Sequence, residues 1–251
     1  TEQVAALSSA AIGALSSAQL GALSTAQLDA FSTKQLAALS SAAVAGLETA
    51  DIATISSTEI AALSAKVVAS LSTANVAALT STQLGGLTTA QTGALSTAQI
   101  KTLSTAQIDG LSTAQVSVLT SAQVGALTTD GIASLSTDQV AALNTSQVLA
   151  LTTQQLGAIV SQDIAALMTA AVGALTTNQV AALRTDQIVA LRTDQIAALQ
   201  TSQVVALSAD QLTAMETRDV AALSMVAVSA LTTVQVSQGL STSQIAALTT
   251  A

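Results

Sequence analysis

The sequence lacks most of the side chains that carry out chemistry in proteins. Its 251 residues contain no Trp, Tyr, His, Cys or Pro, and Phe31 is the only aromatic residue. Without His or Cys, the usual general bases, thiol nucleophiles and imidazole or thiolate metal ligands are missing. We therefore expect no enzymatic activity, no cofactor and no metal site. The absence of Cys excludes disulfides but leaves the redox environment open.

Charge is also scarce. Half of the residues are hydrophobic and 8% are charged, with 14 acidic and 6 basic side chains and a net charge of -8. This composition predicts an ordered chain. Phosphate binding needs clustered Lys and Arg, so we expect no nucleic-acid partner. The basic residues are instead scattered, as Lys34, Lys66, Lys101, Arg184, Arg192 and Arg218. Ser, Thr or Gln interrupts every few residues, so no apolar run reaches the ~20 residues that span a bilayer.

The dominant feature of the sequence is an eight-residue repeat, or octad. A large apolar residue, the anchor, recurs at every eighth position from Leu7 to Leu231 and again at Leu240 and Leu248, 31 times in all. The one step of nine residues precedes Leu240, with Gly239 as the predicted insertion. The consensus is Leu, Ser/Thr, Thr/Ser, Ala, Gln, Val/Ile/Leu, Ala/Gly, Ala. We predict a single continuous array over residues 1–251 and expect it to be an excerpt of a longer chain.

Two regular structures fit this period poorly. In one continuous helix, eight residues at about 100° each would turn the anchor row by roughly 80° per octad, so no single face would be apolar. In a β-solenoid, the Leu and the Val or Ile of an octad would fall on opposite faces of a regular strand. The octad also has no fixed turn residue, and Ala is a poor strand former.

A short helix in each octad accounts for nearly every position. In the octad that begins at Leu103, Ser104 is the predicted N-cap, Gln107 at N3 completes a capping box, and Leu103 and Ile108 form a hydrophobic staple. Gln occupies N3 in 20 of the 31 octads. We predict an all-α solenoid of about two-turn helices, one per octad, and keep a β-solenoid as the alternative. Acidic residues favour the same first turn, where the helix dipole stabilises them: Glu2, Asp130, Asp138, Asp186, Asp194 and Asp210 lie at N2, and Asp51, Glu59, Asp163 and Asp219 at N3.

Two rows of the octad allow a second interpretation. The Gln row predicts either a cap in every helix, which we favour, or a ladder of amides between stacked coils. The Thr row predicts N-cap and N1 residues, but regular Thr on a weakly charged scaffold also resembles an ice-binding surface. The two positions before each anchor are small, which allows backbones to approach closely. Gly occupies the first of them at Gly13, Gly21, Gly85, Gly93, Gly125, Gly157 and Gly173.

The acidic residues provide the only other candidates for a site. The closest sets are Asp186 with Asp194 and Glu216 with Asp219. Arg184 and Arg192 accompany the first pair, so we interpret it as a solvated, charge-balanced surface. A calcium site would need several oxygen ligands on one loop, and no such run is present. We therefore assign no catalytic, cofactor-binding or metal-binding residues.

The strings Leu-Ser-Thr-Ala-Gln-Ile and Ala-Ala-Leu-Thr-Thr, repeated throughout, resemble the Thr/Ala/Gln-rich octad arrays of large bacterial secreted or surface proteins of adhesin-like type. The resemblance covers all 251 residues and implies an extracellular or cell-surface location. It also implies a structural role in filaments, fibres or adhesion. The apolar layers at the termini of such an array predict end-to-end self-association into a filament. The lateral surface is rich in Ser, Thr and Gln and nearly free of charge, which predicts side-by-side packing as well. The alternatives are an ice-binding protein and an intracellular scaffold that docks a partner.

The assignment of core and cap predicts different energetic roles for two residues of one octad. We expect replacement of the anchor Leu127 by Ala to cost about 2 to 5 kcal/mol, as large-to-small core changes do. We expect replacement of Gln123 by Ala to cost about 1 kcal/mol, as the partial loss of a cap does.

Overall fold

The computed structural model describes residues 1–248, and all regular structure in this part of the chain is helical. It contains 30 short α-helices and one 3₁₀ helix, each of four to seven residues and one for each octad. This confirms the predicted all-α solenoid, and residues 1–248 contain no strand that a β-solenoid would need.

The helices follow one another with short connections throughout both halves of the chain. In order they are α1 Glu2–Ala5, α2 Ser9–Gly13, α3 Ser17–Gly21, α4 Thr25–Leu28, α5 Thr33–Ala38, the 3₁₀ helix Ala43–Gly46, α6 Thr49–Thr54, α7 Ser57–Ala62, α8 Ala65–Ala69, α9 Thr73–Ala78, α10 Ser81–Gly85, α11 Thr89–Gly93, α12 Thr97–Lys101, α13 Thr105–Asp109, α14 Thr113–Ser117 and α15 Ser121–Ala126. They continue as α16 Thr129–Ala133, α17 Thr137–Ala141, α18 Thr145–Leu149, α19 Thr153–Ala158, α20 Ser161–Ile164, α21 Thr169–Ala174, α22 Thr177–Ala181, α23 Thr185–Ala190, α24 Thr193–Ala197, α25 Thr201–Val205, α26 Ala209–Ala214, α27 Thr217–Ala221, α28 Met225–Ser229, α29 Thr233–Gly239 and α30 Thr242–Ala247.

Nearly every helix begins just after its predicted cap position and ends one to three residues before the next anchor. In α15 the Thr120 hydroxyl accepts from the Gln123 backbone N–H at 3.2 Å, and the Gln123 side chain accepts from the Thr120 N–H at 2.7 Å. The helix stops at Leu127, whose backbone is extended at φ -59° and ψ 147°. No residue among 1–248 has a positive φ, so these turns need no Gly. The anchor therefore ends one helix and leads directly into the cap of the next.

The chain divides into two compact units, Thr1–Leu127 and Thr128–Ala251, the second described as far as Leu248. Within each unit, nearly every helix packs on the third helix before it, the third helix after it, or both. In the first unit α4, α6, α9, α12 and α15 form one such stack. In the second unit the three stacks are α16, α19, α22, α25 and α28; α17, α20, α23, α26 and α29; and α18, α21, α24, α27 and α30. One coil is thus three octads, or ~24 residues, and each unit has three sides.

The anchor row and the N4 row form the core. Ile108 at N4 and Leu111 at the following anchor are both buried, whereas Ser104, Thr105 and Ala106 at N-cap, N1 and N2 are exposed. Burial of an apolar side chain of this size contributes about 1.5 to 3 kcal/mol. A helix of five residues is too short to be stable in water on its own hydrogen bonds alone. The stability of each helix therefore depends on the coils beside it.

Small residues before the anchor allow adjacent coils to approach closely, as the sequence predicted. A Cβ built on Gly85 would lie 2.8 Å from the Gly110 carbonyl oxygen, 25 residues further along and in the next coil. A Cβ built on Gly110 would in turn lie 2.9 Å from the Ser81 Cβ. These distances are shorter than ordinary contacts, so the backbones themselves meet at this point.

We expect Gly85→Ala to destabilise the first unit by about 1 to 3 kcal/mol, because a Cβ at this position forces two coils apart. The matched control is Gly157→Ala, at the equivalent octad position, where the nearest atom to an added Cβ is the Ala182 carbonyl oxygen at 4.0 Å. That change should be neutral or stabilise by up to about 1 kcal/mol through helix propensity. Urea unfolding measured by circular dichroism checks both, and equal effects would contradict the close approach.

The single break in the period lies where the sequence placed it. The extra residue falls in α29, which ends at the buried Gly239 and has seven residues, more than any other helix among residues 1–248. Gln244 of the next octad still donates to the Leu212 and Met215 carbonyls, at 2.9 and 2.8 Å. These partners are 32 and 29 residues earlier, one more than in regular octads. The insertion is therefore absorbed within one helix, and the contact between coils is kept.

Candidate functional site

The N3 Gln side chain joins its own helix to the preceding coil. In α13 the Oε1 of Gln107 accepts from the Ser104 backbone N–H at 2.8 Å, which caps the helix. Its Nε2 donates to the carbonyls of Val76 at 3.0 Å and Leu79 at 2.6 Å, 31 and 28 residues earlier. The side chain is 3% exposed. One buried amide thus uses its acceptor within the octad and its donor between coils.

This double contact recurs through both units. An N3 Gln donates to the anchor carbonyl of the earlier coil at Gln35, Gln83, Gln91, Gln99, Gln107, Gln115 and Gln123 in the first unit, and at Gln179, Gln187, Gln195, Gln203, Gln211, Gln235 and Gln244 in the second. The cap and the ladder, which the sequence presented as alternatives, therefore occur together in one side chain. The cap interpretation holds for Oε1, while the ladder runs from each Nε2 to backbone carbonyls.

Where Asn, Glu or Asp replaces the N3 Gln, part or all of the amide bond to the earlier coil is lost. Asn75 is one methylene shorter, and its amide reaches only the Leu47 carbonyl, at 3.0 Å. Glu59 accepts from the Ser56 N–H at 2.8 Å, but a carboxylate has no proton to donate to a carbonyl. Asp219 is buried and accepts instead from the Thr193 hydroxyl of the earlier coil, at 2.6 Å. The buried Asp163 accepts from Thr137 in the same way.

The acidic pairs singled out in the sequence are separate ion pairs. Asp186 binds Arg184 at 2.9 Å and Asp194 binds Arg192 at 3.0 Å, each within its own octad and on the surface. Hydrogen bonding to Arg184 lowers the pKa of Asp186. Hydrogen bonds from Arg192 and then Thr169 lower the pKa of Asp194 to about 2. The structure therefore does not bring these two carboxylates together.

The second acidic pair surrounds one guanidinium. Glu216 lies 2.8 Å from Arg218, and the buried Asp219 is 3.8 Å from the same Nε. Among residues 1–248 no group of three or more acidic, His or Cys side chains is placed to hold a metal ion. The helices of the same residues are all too short to cross a bilayer.

A contact that sequence analysis missed lies at the N-caps of three successive helices. Arg184, Arg192 and Gln200 replace the usual Ser or Thr before α23, α24 and α25. Their side chains donate to the carbonyls of Gly157, Ala165 and Gly173, each 27 residues earlier. Because three octads make one coil, one complete coil is tied to its predecessor at the caps. The sequence does signal this contact, because three successive N-caps are neither Ser nor Thr.

The depressed pKa of Asp194 gives a pH prediction with a defined sign. The Arg192 contact should be fully present above about pH 4 and lost as pH falls through about 2, since a carboxyl with a lowered folded-state pKa stabilises only when ionised. We expect Asp194→Asn to lower the melting temperature slightly near neutral pH and to match the wild type near pH 2. Asp138→Asn removes another N2 acid that forms no ion pair with Arg and serves as the control. A difference that persists at pH 2 would contradict this assignment.

The fold and its repeated contacts define a helical solenoid repeat protein. The family model described as the ALTTAQ repeat matches eight overlapping or successive stretches: residues 1–33, 17–47, 44–81, 68–97, 97–129, 121–153, 156–193 and 212–250. The chain belongs to the ALTTAQ repeat family. A search of curated proteins finds no match to it.

Proposed function

We propose that the protein is a structural repeat element that forms part of an extracellular filament, fibre or adhesive surface structure. The observation that supports this role most directly is the contact between coils. Each coil offers Gln Nε2 donors to the coil before it and backbone carbonyl acceptors to the coil after it, as Gln107 and Leu79 illustrate. A contact with different groups on its two sides is heterologous, and heterologous contacts build open assemblies.

The surface chemistry is consistent with the same role. The N-cap, N1 and N2 positions are mostly Ser, Thr and Ala, and they are largely exposed. The 20 charged side chains among 251 residues give little repulsion between copies beyond the net charge of -8. The proposal assigns no catalytic residue, no cofactor and no nucleic-acid partner. The extracellular or cell-surface location rests on the resemblance to arrays of large secreted proteins and is part of the proposal.

Negative-stain electron microscopy of the purified protein, and of cells that produce it, tests the proposal. We expect filaments or fibres that lengthen with protein concentration. Immunogold labelling should place them outside the cell. Dispersed monomers at high concentration would contradict the assembly, and labelling confined to the cytoplasm would contradict the location and favour a scaffold that docks a partner inside the cell.

One observation favours ice binding as a second candidate. In the first unit the N1 residues of the stacked helices α4, α6, α9 and α12 are all Thr: Thr25, Thr49, Thr73 and Thr97. All four are exposed, so one side presents a regular row of hydroxyl and methyl groups. Thermal hysteresis at micromolar protein that Thr49→Leu and Thr73→Leu abolish would establish this function. Unaltered ice crystals would exclude it.

A further inference from the structure

The charges of the second unit are distributed unevenly over its three sides. On one side the stacked helices α19, α22, α25 and α28 belong to octads that contain no charged residue, and on the other two sides the octads carry five charges each. The charges of those two sides are Asp138, Asp163, Arg184, Asp186 and Asp210 on one, and Arg192, Asp194, Glu216, Arg218 and Asp219 on the other. The outward-facing residues of α19, α22, α25 and α28 are called the uncharged side below.

Polar but neutral groups make up most of the uncharged side. Thr153, Gln154, Thr177 and Asn178 are exposed at N1 and N2 of α19 and α22. The amide and hydroxyl groups among them both donate and accept hydrogen bonds, so the same surface on a second molecule can complement them. A carboxylate or an ammonium in their place would offer only one of the two.

The uncharged side also exposes apolar side chains. Met225 at N1 of α28 is 86% exposed, the highest value for a large apolar side chain among residues 1–248, and Val226 beside it is 67% exposed. In most octads Thr, Ser, Ala or Asp occupies these two positions. Val205 on α25 extends the apolar surface at the next helix of the stack. Such groups gain free energy when another surface covers them.

Arg184, at the edge of the uncharged side, is already paired. Arg184 donates to the Gly157 carbonyl at the end of α19 and forms its ion pair with Asp186. Asp130 lies on the same side but one helix before α19, on α16. Two copies that meet through α19, α22, α25 and α28 therefore bring together octads that contain no charged residue, although each chain carries a net charge of -8.

We propose that the uncharged side is the lateral contact through which a second copy of this chain packs alongside the first. The inference rests on the proposed structural function and assigns a surface to side-by-side association. The two charge-bearing sides of the second unit then face solvent or the exterior of the fibre. The contact combines neutral hydrogen-bonding groups with exposed Val and Met, as interface cores do.

The test adds acids either to the uncharged side or, as a control, to the two charge-bearing sides, at positions that should not disturb the helices. The double variant Thr153→Glu with Thr177→Glu adds two acids at N1 of the uncharged side. The control double variant Thr185→Glu with Thr217→Glu adds two acids at N1 of α23 and α27, on the charge-bearing sides. An acid in the first turn is favoured by the helix dipole, so both variants should fold, and circular dichroism checks this.

Sedimentation and fibre width by electron microscopy at low salt are the measurements. We expect the first variant to give thin, unbundled filaments or soluble molecules. The critical concentration for its lateral association should be at least tenfold higher than that of the wild type. The control should bundle like the wild type, and added salt should partly restore bundling of the first variant. Equal bundling of both variants, or equal loss in both, overturns the assignment of this surface. Wild-type protein that never associates overturns the proposed function itself, which distinguishes the two failures.

Discussion

Gln123→Ala is expected to destabilise the first unit by about 3 to 5 kcal/mol, well above the value for a simple cap. The substitution removes the acceptor of the Thr120 N–H, a loss of about 1 kcal/mol. It also removes the donor that lies 2.6 Å from the Leu95 carbonyl and 3.2 Å from the Gly93 carbonyl. A buried acceptor left without a partner costs about 1 to 3 kcal/mol, and the lost side-chain packing adds to it.

Glu59 provides the matched control, because it caps α7 without donating to another coil. Glu59→Ala should cost only about 1 kcal/mol. The reverse change, Glu59→Gln, supplies the missing donor opposite the Leu28 and Phe31 carbonyls and should stabilise by about 1 kcal/mol. Urea unfolding, with hydrogen exchange to localise the effect, measures all three. If Gln123→Ala and Glu59→Ala cost the same, the bond between coils contributes nothing to stability.

Leu127→Ala is expected to cost about 2 to 5 kcal/mol. The anchor side chain is buried, and its truncation removes apolar burial and leaves a cavity in the core. In a solenoid this loss acts on the octads that stack around the site, so the unfolding transition should broaden or split. Hydrogen exchange should then show faster exchange in α15 and in α12, on which it packs.

Leu149→Ala makes the same chemical change in α18, at a residue that is 38% exposed. It should cost about 1 kcal/mol or less, because less burial is lost than at Leu127 and Ala favours the helix. A cost for Leu149→Ala close to that for Leu127→Ala would contradict the assignment of the anchor row as core. The sequence predicted a much larger destabilisation for Leu127→Ala than for Gln123→Ala. The structure predicts similar values for the two, because the Gln123 amide is buried as well.

Local features of the octad could be predicted because they depend on residues close together in the chain. Ser104 with Gln107 identifies a capping box without any knowledge of neighbouring coils, and the structure contains that box at 2.8 Å. The insertion at Gly239 is visible as a change of period and lies in the longest helix. The close packing at Gly85 follows from the requirement that helices this short must be buried against others.

The partners between coils could not be predicted, because nearly identical octads leave the number per coil undetermined. A coil of two, three or four octads would bury the same anchor and N4 rows. The pattern alone therefore does not distinguish partners that are 28 residues apart from partners one octad nearer or further along the chain. The backbone angles at the anchor, such as those of Leu127, set this number, and the sequence does not encode them in a recognisable turn residue. Once a coil has three octads, the Nε2 of Gln107 necessarily lies beside the Leu79 carbonyl.

The contact between an octad and the third octad after it has a consequence for how such genes change length. Each contact depends on relative position in the array and on consensus residues that nearly every octad supplies. Recombination that adds or removes a whole number of octads changes partners only where a contact spans the junction, and each new partner there is an octad of the same kind, so we expect the product to fold. Only special pairs, such as Gly85 with Gly110, would be separated by an event between them. Alleles of this gene should therefore differ in length by multiples of eight codons, with the boundaries of such changes concentrated outside these pairs.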